Sequence, residues 1–283
     1  MLDVDLLNHL KTEHDLVVNT HKPLSGGDIN AVYLLNCKNG KYVIKTNDKN
    51  KFPEMFLKES NGLKLLASAK AIHIPKIIAV GDFKNTSYLI LEYIDSAAKK
   101  PSFWADFGHQ MADLHSKTAD NFGLQENNYI GSLKQNNEPQ ESAVGFYINQ
   151  RLEPQFKLAV DNGYDFKNLD AFYKSITTQI PNEAPSLTHG DLWAGNFMVN
   201  NNGLPCLIDP AVAYAPREID IAVMHLFGGF DSQLFQVYDE DFPLIKRWED
   251  RLKLWQLYHV LVHVNLFGGH YYASAKAIIK QYS

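Results

Sequence analysis

Strand-like and helix-like segments are segregated along this chain, and that separation limits the folds it can adopt. Apolar, β-branched runs occupy residues 16–21 and 30–37, and a third strand-like run, residues 41–46, follows Asn39-Gly40. That dipeptide is a strong hairpin signal because both residues accept positive φ. A stretch with apolar residues at helical spacing (Phe56, Leu63, Leu66 and Ala67) comes next, before two more strand-like runs at residues 74–82 and 87–95. The first third of the chain therefore predicts a five-stranded antiparallel sheet with one helix inserted after the third strand.

From about residue 101 the pattern becomes helical. Amphipathic stretches cover residues 101–117, 146–161 and 169–179, and an Asn-Asn-Gly turn sits within a short hairpin at residues 196–209. The fold class predicted is α+β and bilobal, of the protein-kinase-like type. We expect an N-terminal lobe over residues 1–95 and a C-terminal lobe over residues 96–283, acting as one unit. Clefts between such lobes are common ligand sites.

Composition excludes several classes of protein. Hydrophobic residues make up 45% of the chain, charged residues 21%, and the net charge is -5 at pH 7. This balance argues against a protein that binds nucleic acid or an anionic membrane. No run approaches the roughly 18 apolar residues of a membrane span. With only two cysteines, Cys37 and Cys206, we expect a soluble cytoplasmic protein without a disulfide framework.

Three polar residues in the second half of the chain suggest chemistry. Asp191 precedes Asn196 by five positions in HGDLWAGN, and Asp209 ends the returning arm of the predicted hairpin in CLIDP. A hairpin brings Asn196 and Asp209 to the same end, where two oxygen ligands with room for water and phosphate suit Mg²⁺. Asp191 would then face a substrate hydroxyl, as in kinase-type phosphoryl transfer. The alternative is an ordinary turn, since Asp and Asn are common turn formers.

The N-terminal lobe offers groups for a nucleotide. Lys45 ends the third strand, like the strand lysine that binds nucleotide phosphates, and Glu59 is its favoured helical partner, with Glu54 as the competitor. Residues of the turn between the first two strands would cap phosphate oxygens, and the backbone of the crossing segment would bind adenine. These candidates are Ser25, Gly26 and Gly27 in the turn, and Glu92, Tyr93 and Ile94 in the crossing segment. The turn lacks the full G-x-G-x-x-G pattern, and the chain has no P-loop motif.

The chain resembles the fructosamine (ketosamine) kinase family, within the wider group of aminoglycoside-phosphotransferase-like kinases. The resemblance is carried by LSGGDIN, YVIK, FLKESNGLKLL, HGDLWAGN, CLIDPAVAYAPREIDIAVMHLFGGF and YHVLVHVNLFGGHY, from near residue 24 to near residue 272. It implies ATP-dependent phosphorylation of the third-carbon hydroxyl of a ketoamine, a sugar adduct of an amine, as a step in deglycation. The substrate would be a small-molecule or protein-bound ketoamine.

By the same resemblance, Asp191 is the catalytic base, Asn196 and Asp209 bind magnesium, and Lys45 with Glu59 holds the nucleotide phosphates. Trp193 sits where the family places an aromatic side chain beside the substrate. A carboxylate with the ordinary pKa of about 4 is too weak to ionise a sugar hydroxyl, so Asp191 would orient it and accept its proton late.

Some interpretations stay open at this point. Arg217 and Asp220 in PREID are expected to brace a loop, with a substrate contact for Arg217 as an alternative. The alternatives for function are a kinase of the same fold acting on an aminoglycoside or choline, and an inactive ATP-binding pseudokinase.

Overall fold

The computed structural model describes residues 2–24 and 29–283. The predicted phosphate-binding residues Ser25, Gly26 and Gly27 lie outside the described residues.

The N-terminal region forms the predicted five-stranded antiparallel sheet, with strand order β1-β2-β3-β5-β4. Its strands are β1 (Val18–Pro23), β2 (Ala31–Cys37), β3 (Gly40–Asp48), β4 (Ile77–Phe83) and β5 (Thr86–Glu92). The predicted helix after the third strand is present, and counted from the N-terminus it is α2 (Met55–Ser68).

The prediction of a single helix in this region was wrong. A first helix, α1 (Val4–His14), precedes the sheet, with Asp3 capping its N-terminus by accepting a hydrogen bond from the Asp5 N–H at 3.0 Å. It buries Leu6 and Leu10, one turn apart, in the cluster that covers the outer face of the sheet. The many charges of this stretch obscured that two-residue apolar stripe.

The predicted hairpin between β2 and β3 is confirmed, but its turn is displaced by one residue. Cys37 pairs with Gly40, so Lys38 and Asn39 are the central residues and Gly40 begins the returning strand with φ of 146°. Neither Lys38 nor Asn39 has a positive φ. Gly40 therefore supplies the unusual backbone angle from outside the turn's centre.

The C-terminal region is mainly helical, and short strand pairs interrupt it. Its helices are α3 (Phe103–His115), α4 (Ala143–Gly145), α5 (Glu153–Asp161), α6 (Leu169–Thr177), α7 (Glu218–Phe227), α8 (Ser232–Asp241), α9 (Trp248–Phe267) and α10 (His270–Tyr282). Its strands are β6 (Asn128–Ile130), β7 (Leu133–Gln135), β8 (Ser186–Thr188), β9 (Phe197–Val199), β10 (Pro205–Leu207) and β11 (Ala213–Ala215). The predicted hairpin is β9–β10. The predicted helix at residues 146–161 contains a π-helical stretch, Phe146–Leu152, before α5.

One hydrophobic cluster joins the two regions. Phe56 and Leu63 of α2 belong to the same cluster as Phe107 of α3 and Val212 beside β11. At Gly62 of α2, a Cβ atom would lie 3.2 Å from a Val212 methyl group, so the absent side chain permits this close approach. Helix α2 is thus held against the region that carries Asp191 and Asp209. The boundary between residues 95 and 96 stays a prediction.

No helix in the described part of the chain is both long and apolar enough to cross a bilayer.

Candidate active site

The loop that carries Asp191 is fixed by a close backbone crossing. It follows β8, and Gly190 has φ of 82°, a conformation that favours glycine. A Cβ atom at Gly190 would lie 2.1 Å from the Ala211 carbonyl oxygen. Only glycine fits here, so the glycine in His-Gly-Asp lets the loop approach the segment that follows Asp209.

Asn196 joins the two aspartates. Its side-chain Nδ2 donates to the Asp191 carbonyl oxygen at 2.8 Å, to Asp191 Oδ2 at 3.2 Å and to the Asp209 carbonyl oxygen at 3.4 Å. All the amide donors of Asn196 are therefore directed at the two aspartates. Its Oδ1 accepts no hydrogen bond from any residue within the described ranges.

Lys45 connects the sheet to this loop. Its ammonium group donates to Glu59 Oε1 at 2.6 Å and to Asp209 Oδ1 at 2.8 Å, and its side chain is nearly buried. Burial by itself would lower the pKa of Lys45, but Asp209 and Glu59 outweigh it and hold the pKa above its usual value. The predicted pairing with Glu59 is confirmed. The competitor Glu54 is exposed and lies 3.7 Å from Lys58, one helical turn away.

The donor set fits a magnesium ion. Asp209 Oδ1 is bound to Lys45, while its Oδ2 and Asn196 Oδ1 accept no hydrogen bond from the described residues. Mg²⁺ takes one or two protein oxygens and completes its shell with water and phosphate oxygens. One carboxylate and one amide oxygen match that requirement. Residues 2–24 and 29–283 contain no group of three or more His, Cys, Asp and Glu side chains that could hold a metal ion.

Asp220 on α7 fixes the backbone of the loop that carries Asp191 through hydrogen bonds. Its carboxylate accepts from the His189 N–H at 2.7 Å and the Gly190 N–H at 2.8 Å, and lies 3.2 Å from His115 Nε2. Although burial opposes ionisation, these donors and the nearby histidines keep its pKa below the usual value. Asp220 therefore remains charged while fully buried and bonded to the loop, as the loop-bracing interpretation expected.

Two histidines with no assigned proton-transfer role also form hydrogen bonds that hold the loop around Asp191. His189 Nε2 donates to the Ile208 carbonyl oxygen at 2.9 Å, and His189 Nδ1 accepts from the Asp191 N–H at 3.3 Å. His259 of α9 donates from Nε2 to the Gly190 carbonyl oxygen at 2.9 Å, while its Nδ1 is buried without a partner among the described residues. Burial lowers the pKa of both rings, that of His259 to about 4. Sequence reasoning missed the role of His259, because only the fold brings α9 under the loop.

The environment of Asp191 alters its acidity. Burial raises the pKa of its carboxyl to about 7, with further contributions from the charges of Asp209 and Asp220, while the Asn196 hydrogen bond opposes the rise. The sequence-based expectation of an ordinary pKa near 4 is therefore wrong for the metal-free site. A raised pKa makes Asp191 a stronger base, although it stays far below the pKa of a sugar hydroxyl.

This shift predicts how stability depends on pH. A carboxyl whose pKa is higher in the folded protein binds more protons there, so its ionisation reduces stability as the pH rises from about 4 to 7. Asp191→Asn removes that penalty. The free energy of unfolding of the variant, minus that of the wild type, should therefore become more positive by about 1–3 kcal/mol as the pH rises from 5 to 8. Urea unfolding without Mg²⁺ or nucleotide measures this difference. Asp113→Asn, an exposed carboxylate of α3, is the control, and a difference independent of pH would contradict the shift.

Two of the three predicted backbone donors in the crossing segment, those of Glu92 and Tyr93, are used inside the protein. The Glu92 N–H donates to the Lys76 carbonyl oxygen at 2.9 Å, and the Tyr93 N–H to the Lys41 carbonyl oxygen at 3.4 Å. The Glu92 side chain accepts from the Lys76 N–H at 2.8 Å. Within the described chain, the Ile94 N–H donates to no acceptor. Of the three predicted residues, Ile94 is thus the one with a free donor.

Trp193 and Arg217 differ sharply in solvent exposure. Trp193 is 43% exposed and its ring lies over Gly195, where a Cβ atom would come within 2.3 Å of the indole. Arg217 is buried, and it donates to Glu183, to the Tyr238 hydroxyl and to the carbonyl oxygens of Phe242 and Pro243. All its N–H groups donate to partners inside the protein, so the alternative prediction of a substrate contact for Arg217 is wrong. Arg217 braces the segment after α8.

The sheet, the Lys45–Glu59 pair and the loop joining Asp191 to Asp209 place this protein among the phosphotransferases of protein-kinase-like fold. A model of the fructosamine kinase family matches residues 4–283. The chain is 36% identical, over 262 residues, to a probable ketoamine kinase of Vibrio parahaemolyticus. This match covers 91% of this chain and 90% of that protein. The chain therefore belongs to the fructosamine kinase family.

Solved structures agree with this assignment. A crystal structure of a protein assigned as a fructosamine-3-kinase, from Haemophilus somnus, matches with a TM-score of 0.89 at 26% identity and covers 98% of this chain and 96% of that one. A spectinomycin phosphotransferase in complex with ADP and spectinomycin matches with a TM-score of 0.63 at 15% identity, covering 100% and 94%. The second likeness concerns the fold alone, and it agrees with the predicted protein-kinase-like fold.

Proposed function

We propose that this protein transfers the γ-phosphoryl group of ATP to the third-carbon hydroxyl of a ketoamine. The observation that carries the proposal is the contact chain Glu59–Lys45–Asp209–Asn196–Asp191, within a chain that matches the fructosamine kinase family over nearly its whole length. Each group that phosphoryl transfer needs is connected to the next by a hydrogen bond.

Asp191 is the proposed base. The substrate hydroxyl oxygen attacks the γ-phosphorus, a new P–O bond forms, the bond to the β–γ bridging oxygen breaks, and ADP leaves. The hydroxyl proton passes to Asp191 as the P–O bond forms. The Asn196 amide and the His189 ring hold the Asp191 carboxylate and backbone in place, so little reorganisation accompanies the transfer.

Asn196 Oδ1 and Asp209 Oδ2 are the proposed magnesium ligands, and Lys45 would bind nucleotide phosphates while Glu59 orients it. Bound Mg²⁺ supplies positive charge that stabilises the phosphate oxygens during transfer. The Ile94 N–H is the proposed donor to the purine, with the backbone of Glu92 and Tyr93 beside it. The turn residues Ser25, Gly26 and Gly27 are proposed to contact the phosphates. Trp193, exposed beside Asp191, is proposed to contact the substrate.

The test is ADP release by the purified protein with Mg-ATP and a panel of acceptors. The panel contains ribulosamine, erythrulosamine and fructosamine adducts, with an aminoglycoside and choline alongside, and Asp191→Asn serves as the control. We expect turnover with ketoamines that is lost in the control, because both the family and the site favour that acceptor. Turnover restricted to the aminoglycoside or choline would retain the mechanism and reject the substrate. Nucleotide binding without any turnover would indicate a pseudokinase.

A further inference from the structure

Three exposed aromatic side chains gather beside the candidate active site. Trp193, Phe227 and Phe267 are 43%, 40% and 61% exposed. Large exposed apolar side chains in the rest of the described chain are all aliphatic: Val4, Leu57, Ile78 and Val160. Exposed apolar groups that cluster next to a reactive site mark a binding surface more often than isolated ones do.

The rings form a continuous surface. Ring centroids of Trp193 and Phe227 are 6.3 Å apart, and those of Phe227 and His263 are 5.2 Å apart. His263 in turn lies 5.5 Å from Phe267 and 4.9 Å from Tyr271. We call these five residues the aromatic track. It leads from the residue two positions after Asp191 to the start of α10.

A repeated sequence builds this surface. The tetrapeptide Leu-Phe-Gly-Gly occurs at residues 226–229 and again at residues 266–269. Phe227 ends α7 and Phe267 ends α9, and each is followed by two glycines with positive φ, between 62° and 90°. Glycine permits that conformation, so the backbone turns away directly after each phenylalanine. Both rings are left at helix ends, on either side of His263.

One end of the aromatic track lies near the N-terminal region. At Gly131, a Cβ atom would be 3.3 Å from a Leu266 methyl group and 3.6 Å from one of Ile29. Ile29 lies two residues before β2 of the sheet region, and Leu266 precedes Phe267 in α9. The end of α9 therefore lies close to the segment that leads into the sheet.

The chemistry of a ketoamine matches this layout, an argument that rests on the proposed function. Its nitrogen is attached to the first carbon of the sugar, two carbons from the hydroxyl that would face Asp191. The nitrogen is a basic secondary amine, and cations bind favourably to aromatic faces. Burial lowers the pKa of His263, which favours a neutral ring that does not repel a cation.

We propose that the aromatic track binds the amine-bearing arm of the substrate, and that it favours ketoamines with a long apolar or aromatic substituent on the nitrogen. With the sugar at Asp191, Trp193 receives the nitrogen, and the chain beyond it lies along Phe227 and Phe267. Since Phe267 faces solvent, the arm can continue beyond the track. A lysine side chain has the required character, with four methylene groups ending in the glycated amine.

The test compares two ribulose ketoamines that share the sugar and differ in the amine. One is made from methylamine and ends at the nitrogen, and the other from Nα-benzoyl-lysine, which reaches along the track. Steady-state kcat and KM are measured for the wild type, Phe267→Ala and Phe267→Leu, with Val160→Ala as an exposed apolar control on α5. Phe267→Leu keeps apolar area but removes the ring. Thermal unfolding of each variant confirms that it is folded.

For Phe267→Ala we expect KM for the benzoyl-lysine adduct to rise by about three- to tenfold, with both constants for the methylamine adduct unchanged. Phe267→Leu should give a smaller rise and Val160→Ala none. No change in KM for either adduct would overturn the inference while leaving the proposed function intact. Equal changes for both substrates would also overturn it, because Phe267 would then act through the sugar site. Absence of wild-type turnover with either adduct would instead reject the proposed function itself.

Discussion

Asp191→Asn is expected to lower kcat by about 10²- to 10⁴-fold, the usual contribution of a positioned base. Asparagine keeps the shape of the side chain and still accepts from the Asn196 amide, so the loop geometry should persist. What is lost is the group that is proposed to receive the hydroxyl proton. Nucleotide affinity should change little, because Lys45 contacts both Glu59 and Asp209 without Asp191.

The measurement is kcat for a ketoamine at saturating Mg-ATP, together with the Kd for ADP by calorimetry. Asp113→Asn, with an equally conservative change on the surface of α3, should leave both values at the wild-type level. A normal kcat in Asp191→Asn would show that another group accepts the proton. Loss of ADP binding along with kcat would indicate that the substitution disturbed the fold of the loop instead.

Asp209→Asn is expected to reduce kcat by a similar or larger factor, because it removes the one carboxylate of the candidate magnesium site. A metal ion contributes several kcal/mol of charge stabilisation to phosphoryl transfer, equivalent to about 10²- to 10⁴-fold in rate. The same change deprives Lys45 of one of its two partners, although Glu59 remains at 2.6 Å. The Mg²⁺ concentration that gives half-maximal activity should rise.

This variant also offers a second readout that depends on charge alone. The negative charge of Asp209 is the largest contribution after burial to the raised pKa of Asp191. Removing it should lower that pKa in the metal-free protein, so ionisation of Asp191 should reduce stability less than in the wild type as the pH rises from about 4 to 7. Urea unfolding across this range, without Mg²⁺ or nucleotide, tests the shift. An unchanged pH dependence of stability would contradict this contribution of Asp209, and an unchanged Mg²⁺ dependence of activity would exclude Asp209 from the metal site.

Most elements of the fold could be predicted from local patterns. Five strands, the helix that became α2 and the β9–β10 hairpin each follow from the spacing of apolar residues within a few positions. Errors arose where that signal was weak. In α1 two leucines carry the apolar face among many charges, and at the β2–β3 turn a one-residue shift leaves the strand pattern unchanged.

The sequence alone determined which residue types the site would contain, because Asp191, Asn196 and Asp209 occur at short, recognisable spacings. Only the tertiary structure decided which partners they contact. It selected Glu59 over Glu54 and brought Lys45 to Asp209, 164 residues away. It committed Arg217 to internal partners. Burial and neighbouring charge, which depend on contacts between distant segments, set the acidity of Asp191, since local spacing carries no information about the dielectric surroundings of a side chain.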